Sequence, residues 1–236
     1  MKKHLPNIIT LFNLLSGLIA LLFVFQQKWE FVFGFVLLGI AFDFIDGLTA
    51  RYLKVSSEMG LQLDSLADMI TSGIVPSFTM FFLIKNSLNL KGDVIFSSDL
   101  IDLLPLFGFA VALGSAWRLA KFNIDERQTS SFIGLPTPAN TLFIVSLPII
   151  FYHYNYDFTP YIYRPGILIF LSLLSAYALN MEVPLFSLKF KNFAWKNNLE
   201  KYLLIIVSLL LLIGLQIAAI PVIILVYIIL SLAFKK

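Results

Sequence analysis

The amino-acid sequence predicts an all-α fold, a polytopic membrane bundle of about eight transmembrane helices. The first reason is composition: 59% of the 236 residues are hydrophobic and 13% are charged, and the mean hydropathy is +0.88. The second reason is that the apolar residues form runs of roughly 20, the length at which a helix crosses a bilayer. A soluble domain does not combine these features, so we expect a membrane protein.

The expected spans follow the apolar runs along the chain. The first begins after Pro6 and Asn7, which suit the start of a helix. Six spans are expected in a membrane domain of residues 1–200, at positions 8–25, 31 into the acidic stretch at 43–46, 60–84, 103–119, 139–152 and 166–184. A C-terminal hairpin at 201–236 supplies two more, with a break around Gln216 to Pro221.

Lysine and arginine residues are distributed unevenly between the predicted loops. With the N-terminus in the cytoplasm, four of the 17 fall outside, namely Lys28, Lys85, Lys91 and Arg164, and the other 13 fall inside. Short loops rich in Lys and Arg stay in the cytoplasm. We therefore expect a protein of the cytoplasmic (inner) membrane with both termini in the cytoplasm, and an active site at the cytoplasmic ends of helices 2 and 3.

Four aspartates, Asp43, Asp46, Asp64 and Asp68, lie between two strongly apolar segments. An ionised carboxylate near hydrocarbon is costly and usually faces a polar cavity with a partner. The first pair is three residues apart and the second pair four, so each pair projects from one face of a helix. A short turn over 51–59 would let all four converge. The alternative is that they are solvated acids at two helix ends.

The natural partner of converging carboxylates is a divalent cation. The chain has no Cys and only two His, His4 and His153, which are far apart in the sequence. Thiolate or imidazole ligation is therefore not expected, and an all-oxygen site suits Mg²⁺ or Mn²⁺, with Ca²⁺ as an alternative. Asp43, Asp46 and Asp64 are the expected ligands, and the number of ions, one or two, is left open.

From Asp43 to Asp68 the sequence resembles the CDP-alcohol phosphatidyltransferase family. The family pattern is Asp, two residues, Asp-Gly, two residues, Ala-Arg, eight residues, Gly, three residues, Asp, three residues, Asp, and every fixed position is matched. The resemblance implies a membrane enzyme that displaces CMP from a CDP-linked lipid with the hydroxyl of a small alcohol. It also implies that Asp68 is the general base and a further metal ligand, although spacing alone does not distinguish it from Asp64.

Residues near the motif are candidates for binding the CDP-lipid. Gly47, Ala50 and Gly60 are small, which favours either close helix packing or approach of the nucleotide to the backbone. Arg51 has two interpretations, a phosphate ligand through its planar fork or an anchor on the cytoplasmic side. Ser57 is a weaker candidate for a hydroxyl contact to the same phosphates.

The first span carries a polar stripe made of Thr10, Asn13 and Ser16. Small and hydroxylated residues usually pack helices together, and the alternative is contact with the nucleotide near the membrane surface. From this part of the chain we assign Asn7 and Thr10 to the predicted CDP-lipid site.

Two later segments are similar to the phosphatidylserine synthase branch of the family. They are Arg-Leu-Ala-Lys-Phe-Asn at 118–123 and Phe-Ile-Gly-Leu-Pro-Thr-Pro-Ala at 132–139. The similarity implies CDP-diacylglycerol as the donor and L-serine as the acceptor, with Arg118, Lys121 and Asn123 around the serine. Lys121 stands where the branch usually has a second Arg, which keeps the charge and loses bidentate recognition. The alternative is that Arg118 and Lys121 only anchor a helix end in the cytoplasm.

Two other functions stay open. A phosphatidyltransferase for glycerol 3-phosphate or inositol phosphate would need a more basic pocket. A cation transporter would hold its acids near mid-membrane on broken helices with repeats, and no internal repeat is visible in the sequence. The expected partners are CDP-diacylglycerol, a small alcohol and membrane lipid, with no nucleic acid, and a homodimer is one open alternative.

Overall fold

The computed structural model describes residues 4–55, 57–90, 99–125, 132–154, 156–186 and 198–234, and most of them are helical. Within those ranges the α-helices are α1 (Leu5–Phe25), α2 (Trp29–Leu53), α3 (Glu58–Asp68), α4 (Val75–Ser87), α5 (Ala110–Ile124), α6 (Thr137–His153), α7 (Thr159–Ile162), α8 (Pro165–Asn180), α9 (Leu199–Leu215) and α10 (Ala219–Ala233). A π-helical turn, Met69–Ile74, joins α3 to α4, and 3-10 helices occupy Leu100–Phe109 and Gln216–Ala218. Two short strands, β1 (Phe132–Ile133) and β2 (Pro184–Leu185), pair antiparallel.

α1 and α2 form a hairpin that positions the acidic residues. The chain reverses in a short turn, where Gln27 takes a positive φ of 54°, and the two helices pack along their length. Near this turn Ala20 and Val24 of α1 pack with Val32 and Val36 of α2 in a buried apolar cluster. The polar half of α1 therefore faces the half of α2 that carries the acids.

α3, the π turn and α4 form one continuous helical segment over Glu58–Ser87. Pro76 has no backbone N–H, so the carbonyl of Ser72 lacks the α-helical donor that residue 76 would otherwise provide. The hydroxyl of Thr141 on α6 donates to this carbonyl at 3.0 Å, and the hydroxyl of Ser115 on α5 lies 3.4 Å from it. Neighbouring helices thus satisfy the backbone group that proline leaves free.

The two strands tie the loop before α6 to the segment after α8. Phe132 is opposite Leu185 in the ladder. Gly134 follows with a φ of +79°, and its N–H donates to Val183 O at 2.9 Å. We expected an all-helical chain, and this short ladder is an addition to that fold. Strands of two residues carry no periodic pattern from which they could be predicted.

α9 and α10 form the expected C-terminal hairpin. They pack against each other, and the chain reverses in the 3-10 turn, where Gln216 has a φ of 51°. The hydroxyl of Tyr154 donates to Gln216 Oε1 at 2.7 Å and holds this turn against α6. On the other side, the hydroxyl of Tyr227 donates to Phe186 O at 3.0 Å, and Tyr227 packs with Leu204 in a buried cluster.

Five helical segments of the described chain are long and apolar enough to cross a membrane, and Pro165–Asn180 is a shorter apolar helix. The five are Leu5–Phe25, Trp29–Leu53, Glu58–Ser87, Leu100–Ile124 and Leu199–Ala233. Many of their large apolar side chains are exposed, for example Leu22 at 62% and Ile213 at 81%. Such a surface is unfavourable in water and suits lipid. The chain is a helical membrane protein.

The helices differ from the expected spans in three ways. The sixth span was expected at 166–184, but α8 ends at Asn180 and Pro184 begins β2. The fourth span begins as a 3-10 helix, with Pro105 inside it. The final hairpin is a single apolar stretch of 35 residues, and within it α9 and α10 have 17 and 15 residues, which is fewer than the roughly 20 of an ordinary span. The predicted orientation depends partly on basic residues that lie outside the described residues. They are Lys2, Lys3, Lys91, Arg127, Lys189, Lys191, Lys196, Lys235 and Lys236.

Candidate active site

Three carboxylates meet where α2 and α3 approach each other. Asp43 comes from α2, and Asp64 and Asp68 come from successive turns of α3. One carboxylate oxygen of each lies within 4.8 Å of the other two, and all three residues are half-buried. A spacing of four residues puts Asp64 and Asp68 on one face of α3, so their side of the cluster follows directly from the sequence.

Asp46 lies beside this cluster and is not one of the three. It is buried one turn after Asp43 on α2, and the hydroxyl of Thr10 on α1 donates to its Oδ2 at 2.5 Å. Hydrogen bonds to a carboxylate are charge-assisted and short. Asp46 also lines an adjoining pocket together with Asp64. Of the four predicted ligands, three therefore converge and the fourth forms part of the pocket wall.

The convergent oxygens suit a hard divalent cation. Carboxylate oxygens are the ligands that Mg²⁺ and Mn²⁺ prefer in proteins. Oδ1 of Asp64 is buried and has no hydrogen-bond partner among the residues that the structure describes. A buried carboxylate oxygen is unfavourable until a cation or a proton neutralises it. His153 lies away from the cluster. Its Nε2 is 2.6 Å from Oε1 of Glu30, a residue in the first turn of α2.

A pocket of about 490 Å³ opens beside the carboxylates, between the start of α1, the end of α2 and the start of α3. Small-ligand sites in proteins have volumes of about 300–1,000 Å³, so the pocket is large enough for a nucleotide-sized group. Six of the seven residues predicted to bind the CDP-lipid line it: Asn7, Thr10, Gly47, Ala50, Ser57 and Gly60.

The seventh predicted residue, Arg51, is not among the residues that line this pocket, whereas Lys54 is. Arg51 is exposed on the last turn of α2. Lys54 follows at the C-cap, where its φ is 52°. Gly47, Ala50 and Lys54 stand at positions i, i+3 and i+7, which share one face of a helix. This periodicity is the sequence signal that could have identified Lys54.

The glycines of the pocket differ in the space around them. A Cβ atom on Gly60 would lie 3.0 Å from Ser57 Oγ and 3.2 Å from Asn7 Oδ1. Ser57 Oγ also accepts a hydrogen bond from the N–H of Gly60 at 3.0 Å, which caps α3. A Cβ atom on Gly47 would meet no atom within 4 Å. Gly60 thus permits a close approach of α1 to α3, and Gly47 leaves the pocket wall open.

The polar stripe of α1 contacts the carboxylates, which the sequence had not predicted. Thr10 donates to Asp46, as described, and Asn13 Nδ2 donates to Asp68 Oδ1 at 3.1 Å. The hydroxyl of Thr71, in the π turn, lies 2.8 Å from Asn13 Oδ1. Ser16 instead bonds within its own helix. Thr10 and Asn13 of the stripe therefore hold α1 against the acids by hydrogen bonding to them.

A sequence model of the CDP-alcohol phosphatidyltransferases matches residues 3–186. This match covers more than half of the chain and includes all four aspartates and the pocket beside them. The chain belongs to the CDP-alcohol phosphatidyltransferase family.

Relatives of this phosphatidyltransferase from bacteria and an archaeon carry the name CDP-diacylglycerol–serine O-phosphatidyltransferase. The Bacillus subtilis protein is 32% identical over 149 residues, which are 61% of this chain and 75% of that protein. The Helicobacter pylori J99 protein is 26% identical over 208 residues, 86% of this chain and 79% of that protein. The Methanocaldococcus jannaschii protein is 30% identical over 141 residues, 60% of this chain and 58% of that protein.

The residues that the sequence suggested for the acceptor of this phosphatidyltransferase lie in two places. Arg118 and Lys121 line a second cavity of about 10 Å³. Arg118 is 6% exposed, and its Nη1 donates to Ile133 O at 2.7 Å and Leu179 O at 2.9 Å. Lys121 forms an ion pair of 3.0 Å with Glu182. Arg118 thus holds the loop before α6 and the end of α8 together.

Asn123 contacts α3, the helix that carries Asp64 and Asp68. Its Nδ2 donates to Ser65 Oγ at 2.8 Å, and Ser65 follows Asp64 on α3. Asn123 is thus held against α3, whereas Arg118 faces a separate and much smaller cavity than the pocket beside the aspartates.

Proposed function

We propose that this phosphatidyltransferase transfers the phosphatidyl group of CDP-diacylglycerol to the hydroxyl of L-serine, which gives phosphatidylserine and CMP. The observation that carries the proposal is a three-carboxylate cluster adjoining a pocket lined by residues of the family motif. The names of the bacterial and archaeal relatives support serine as the acceptor. The segments 118–123 and 132–139 support the same branch of the family.

The CDP-lipid binds in the pocket beside the aspartates. Asn7, Thr10 and Ser57 offer polar atoms to the nucleotide and its phosphates, and the small residues of the wall leave room for the base and ribose. The diphosphate is anionic, and Lys54 supplies a cation on the wall of the pocket. Arg51, at the exposed end of the same helix, remains a proposed second ligand for the phosphates.

The carboxylate cluster acts on both reacting groups, the diphosphate of the CDP-lipid and the attacking hydroxyl. Asp43, Asp64 and Asp68 would hold one or two divalent ions, Mg²⁺ or Mn²⁺, with Asp46 as a further ligand. A bound ion would neutralise the diphosphate and the charge that develops on the leaving CMP. Asp68, as general base, accepts the proton of the attacking hydroxyl. The serine oxygen bonds to the phosphatidyl phosphorus while the bond from that phosphorus to the CMP oxygen breaks, and CMP leaves with the electron pair.

The acceptor site is proposed at the end of α5. Asn123 is one candidate, because its hydrogen bond to Ser65 holds it against α3, the helix that carries Asp64 and Asp68. Lys121 lies one turn earlier on the same helix as a second candidate. A contact of the serine carboxylate with Arg118 requires the loop at 133–134 to move, because the cavity beside the guanidinium holds about one water molecule.

We propose eight membrane spans, with the aspartates at the cytoplasmic ends of α2 and α3. The excess of Lys and Arg on that side supports this orientation. Residues 1–200 form the transferase domain and 201–236 the hairpin, and the end of the family match at residue 186 supports this division. Because the chain has no Cys, Ser57→Cys should react with an impermeant thiol reagent only from the cytoplasm and Asn89→Cys only from outside. Exchanged accessibility would show that the orientation of the segment Glu58–Ser87 is the reverse of the proposed one.

The deciding experiment is a turnover assay with purified protein, CDP-diacylglycerol, Mg²⁺ or Mn²⁺ and a panel of labelled alcohols. We expect CMP release and a labelled lipid that migrates as phosphatidylserine when serine is the alcohol. Faster turnover with glycerol 3-phosphate or inositol phosphate would reassign the acceptor and retain the transferase. Absence of CMP release with every alcohol, together with metal-ion flux in vesicles, would favour a cation transporter.

A further inference from the structure

We propose that Asn13 and Thr71 are positioning residues that orient Asp68 for proton transfer. The inference rests on the proposed function, specifically on Asp68 as the general base. It concerns two side chains that belong neither to the aspartate motif nor to the residues lining the pocket.

The amide of Asn13 has one favourable orientation. The hydroxyl of Thr71 donates to Asn13 Oδ1 at 2.8 Å, and a longer contact of 3.2 Å joins it to Asn13 O. The amide nitrogen is then turned toward Asp68, and Nδ2 donates to Asp68 Oδ1 at 3.1 Å. Without the hydroxyl, the amide is free to turn its oxygen toward the carboxylate, where two acceptors would repel each other.

This hydrogen bond distinguishes the two oxygens of Asp68. Asn13 Nδ2 donates to Oδ1, so Oδ2 keeps more free lone pairs for a bound ion and for the proton of the acceptor hydroxyl. The bond also restricts rotation of the carboxylate about its terminal torsion. A catalytic group that is already oriented saves the entropy that a mobile one would lose in the transition state.

Thr71 is itself held between two helices. Thr71 and Asn13 are 1% and 0% exposed. A Cβ atom on Gly17 of α1 would collide with the Thr71 hydroxyl, and one on Gly39 of α2 would lie 2.8 Å from Thr71 Cγ2 and 3.0 Å from Asn13 Oδ1. Glycines on both helices therefore provide the space that this pair occupies.

The π turn directs Thr71 toward α1. The turn begins at Met69, directly after Asp68, and the wider π geometry shifts the direction of the side chains that follow. On the opposite side of the turn, Ser72 O accepts from the hydroxyl of Thr141 at 3.0 Å. Contacts on both sides fix the rotation of the turn, and with it the position of the Thr71 hydroxyl.

The test compares Thr71→Val and Thr71→Ser with the wild type in CMP release from CDP-diacylglycerol. Valine keeps the shape and removes the hydroxyl, whereas serine keeps the hydroxyl. We expect Thr71→Val to lower kcat about three- to tenfold, the effect of one hydrogen bond, with an unchanged KM for CDP-diacylglycerol. Thr71→Ser should recover most of the lost kcat. If Thr71→Val does not fold, Thr71→Ala removes the hydroxyl without adding volume and serves in its place.

Thr79→Val is the matched control. Thr79 is also fully buried, and its hydroxyl donates to Val75 O at 2.9 Å within α4, away from the aspartates. We expect kcat and KM of this variant to equal those of the wild type. An equal loss of kcat in Thr79→Val would overturn the inference, because the loss would then follow from removing any buried hydroxyl.

An unchanged kcat in Thr71→Val, with or without a raised KM, would also overturn the inference. Asp68→Asn separates this failure from failure of the proposed function. Full turnover of Asp68→Asn would refute the base assignment itself, whereas loss in Asp68→Asn without loss in Thr71→Val would refute only the positioning role. If another alcohol replaces serine as the acceptor, the same comparison is made with that alcohol.

Discussion

Replacing Gly47 by Ala separates the stability of α2 from the binding of the CDP-lipid. The added methyl group meets no atom within 4 Å, so the free protein bears no steric cost. Alanine in place of glycine stabilises a helix by about 0.5–1 kcal/mol. The methyl group nevertheless lies on the wall of the pocket, where the proposed nucleotide approaches the backbone. An extra methyl in a filled site costs about 1–3 kcal/mol, so we expect KM for CDP-diacylglycerol to rise about 5- to 150-fold.

Gly34→Ala is the matched control for this prediction. Gly34 lies on the same helix, a Cβ atom there also meets nothing within 4 Å, and it is not among the residues that line the pocket. Both variants should melt at the same temperature as the wild type or higher, and only Gly47→Ala should change the KM. The assay is the initial rate of CMP release at varied CDP-diacylglycerol in mixed micelles, beside a thermal melt. An unchanged KM in Gly47→Ala would refute the proposed position of the nucleotide.

Four further predictions concern the cluster and its surroundings. Asp43→Asn should abolish turnover and weaken Mn²⁺ binding in a titration without lipid, because it removes a charged ligand at constant size; normal Mn²⁺ affinity would contradict the site. Asp68→Asn should lower kcat while CDP-diacylglycerol still binds, since a base acts in the transition state; a raised KM with normal kcat would give it another role. Arg118→Ala should lower the melting temperature, because two carbonyls lose their donor at about 1–3 kcal/mol each; a raised KM for serine at constant stability would support contact with serine instead. Lys54→Ala should raise the KM for CDP-diacylglycerol more than Arg51→Ala does, and the reverse order would make Arg51 the main phosphate ligand.

The helices and the acidic cluster were predictable because both depend on local periodicity. A run of apolar residues gives a helix its length, and the spacing of Asp64 and Asp68 puts them on one face. The loop between α2 and α3 is short, which permits Asp43 to approach them. Gly47, Ala50 and Gly60 of the pocket belong to the same motif, whereas Lys54, which also lines the pocket, was not predicted.

The contacts that support the cluster were not predictable from local patterns. Asn13 and Thr71 are separated by 58 residues, and the contact depends on the packing of α1 against the π turn. Arg118 reaches Leu179, 61 residues away. An isolated arginine gives no indication whether it will bind a substrate or backbone carbonyls, because both offer oxygen acceptors. Only the fold distinguishes these alternatives.

The C-terminal hairpin lies beyond the family match, yet it is connected to the transferase helices through the short ladder. Tyr227 of α10 binds the carbonyl of Phe186, which directly follows β2. β2 pairs with β1, and the carbonyl of Ile133 in β1 accepts from Arg118. A substitution in the hairpin that loosens Tyr227 should therefore also loosen the loop before α6, although the two segments are far apart in the sequence.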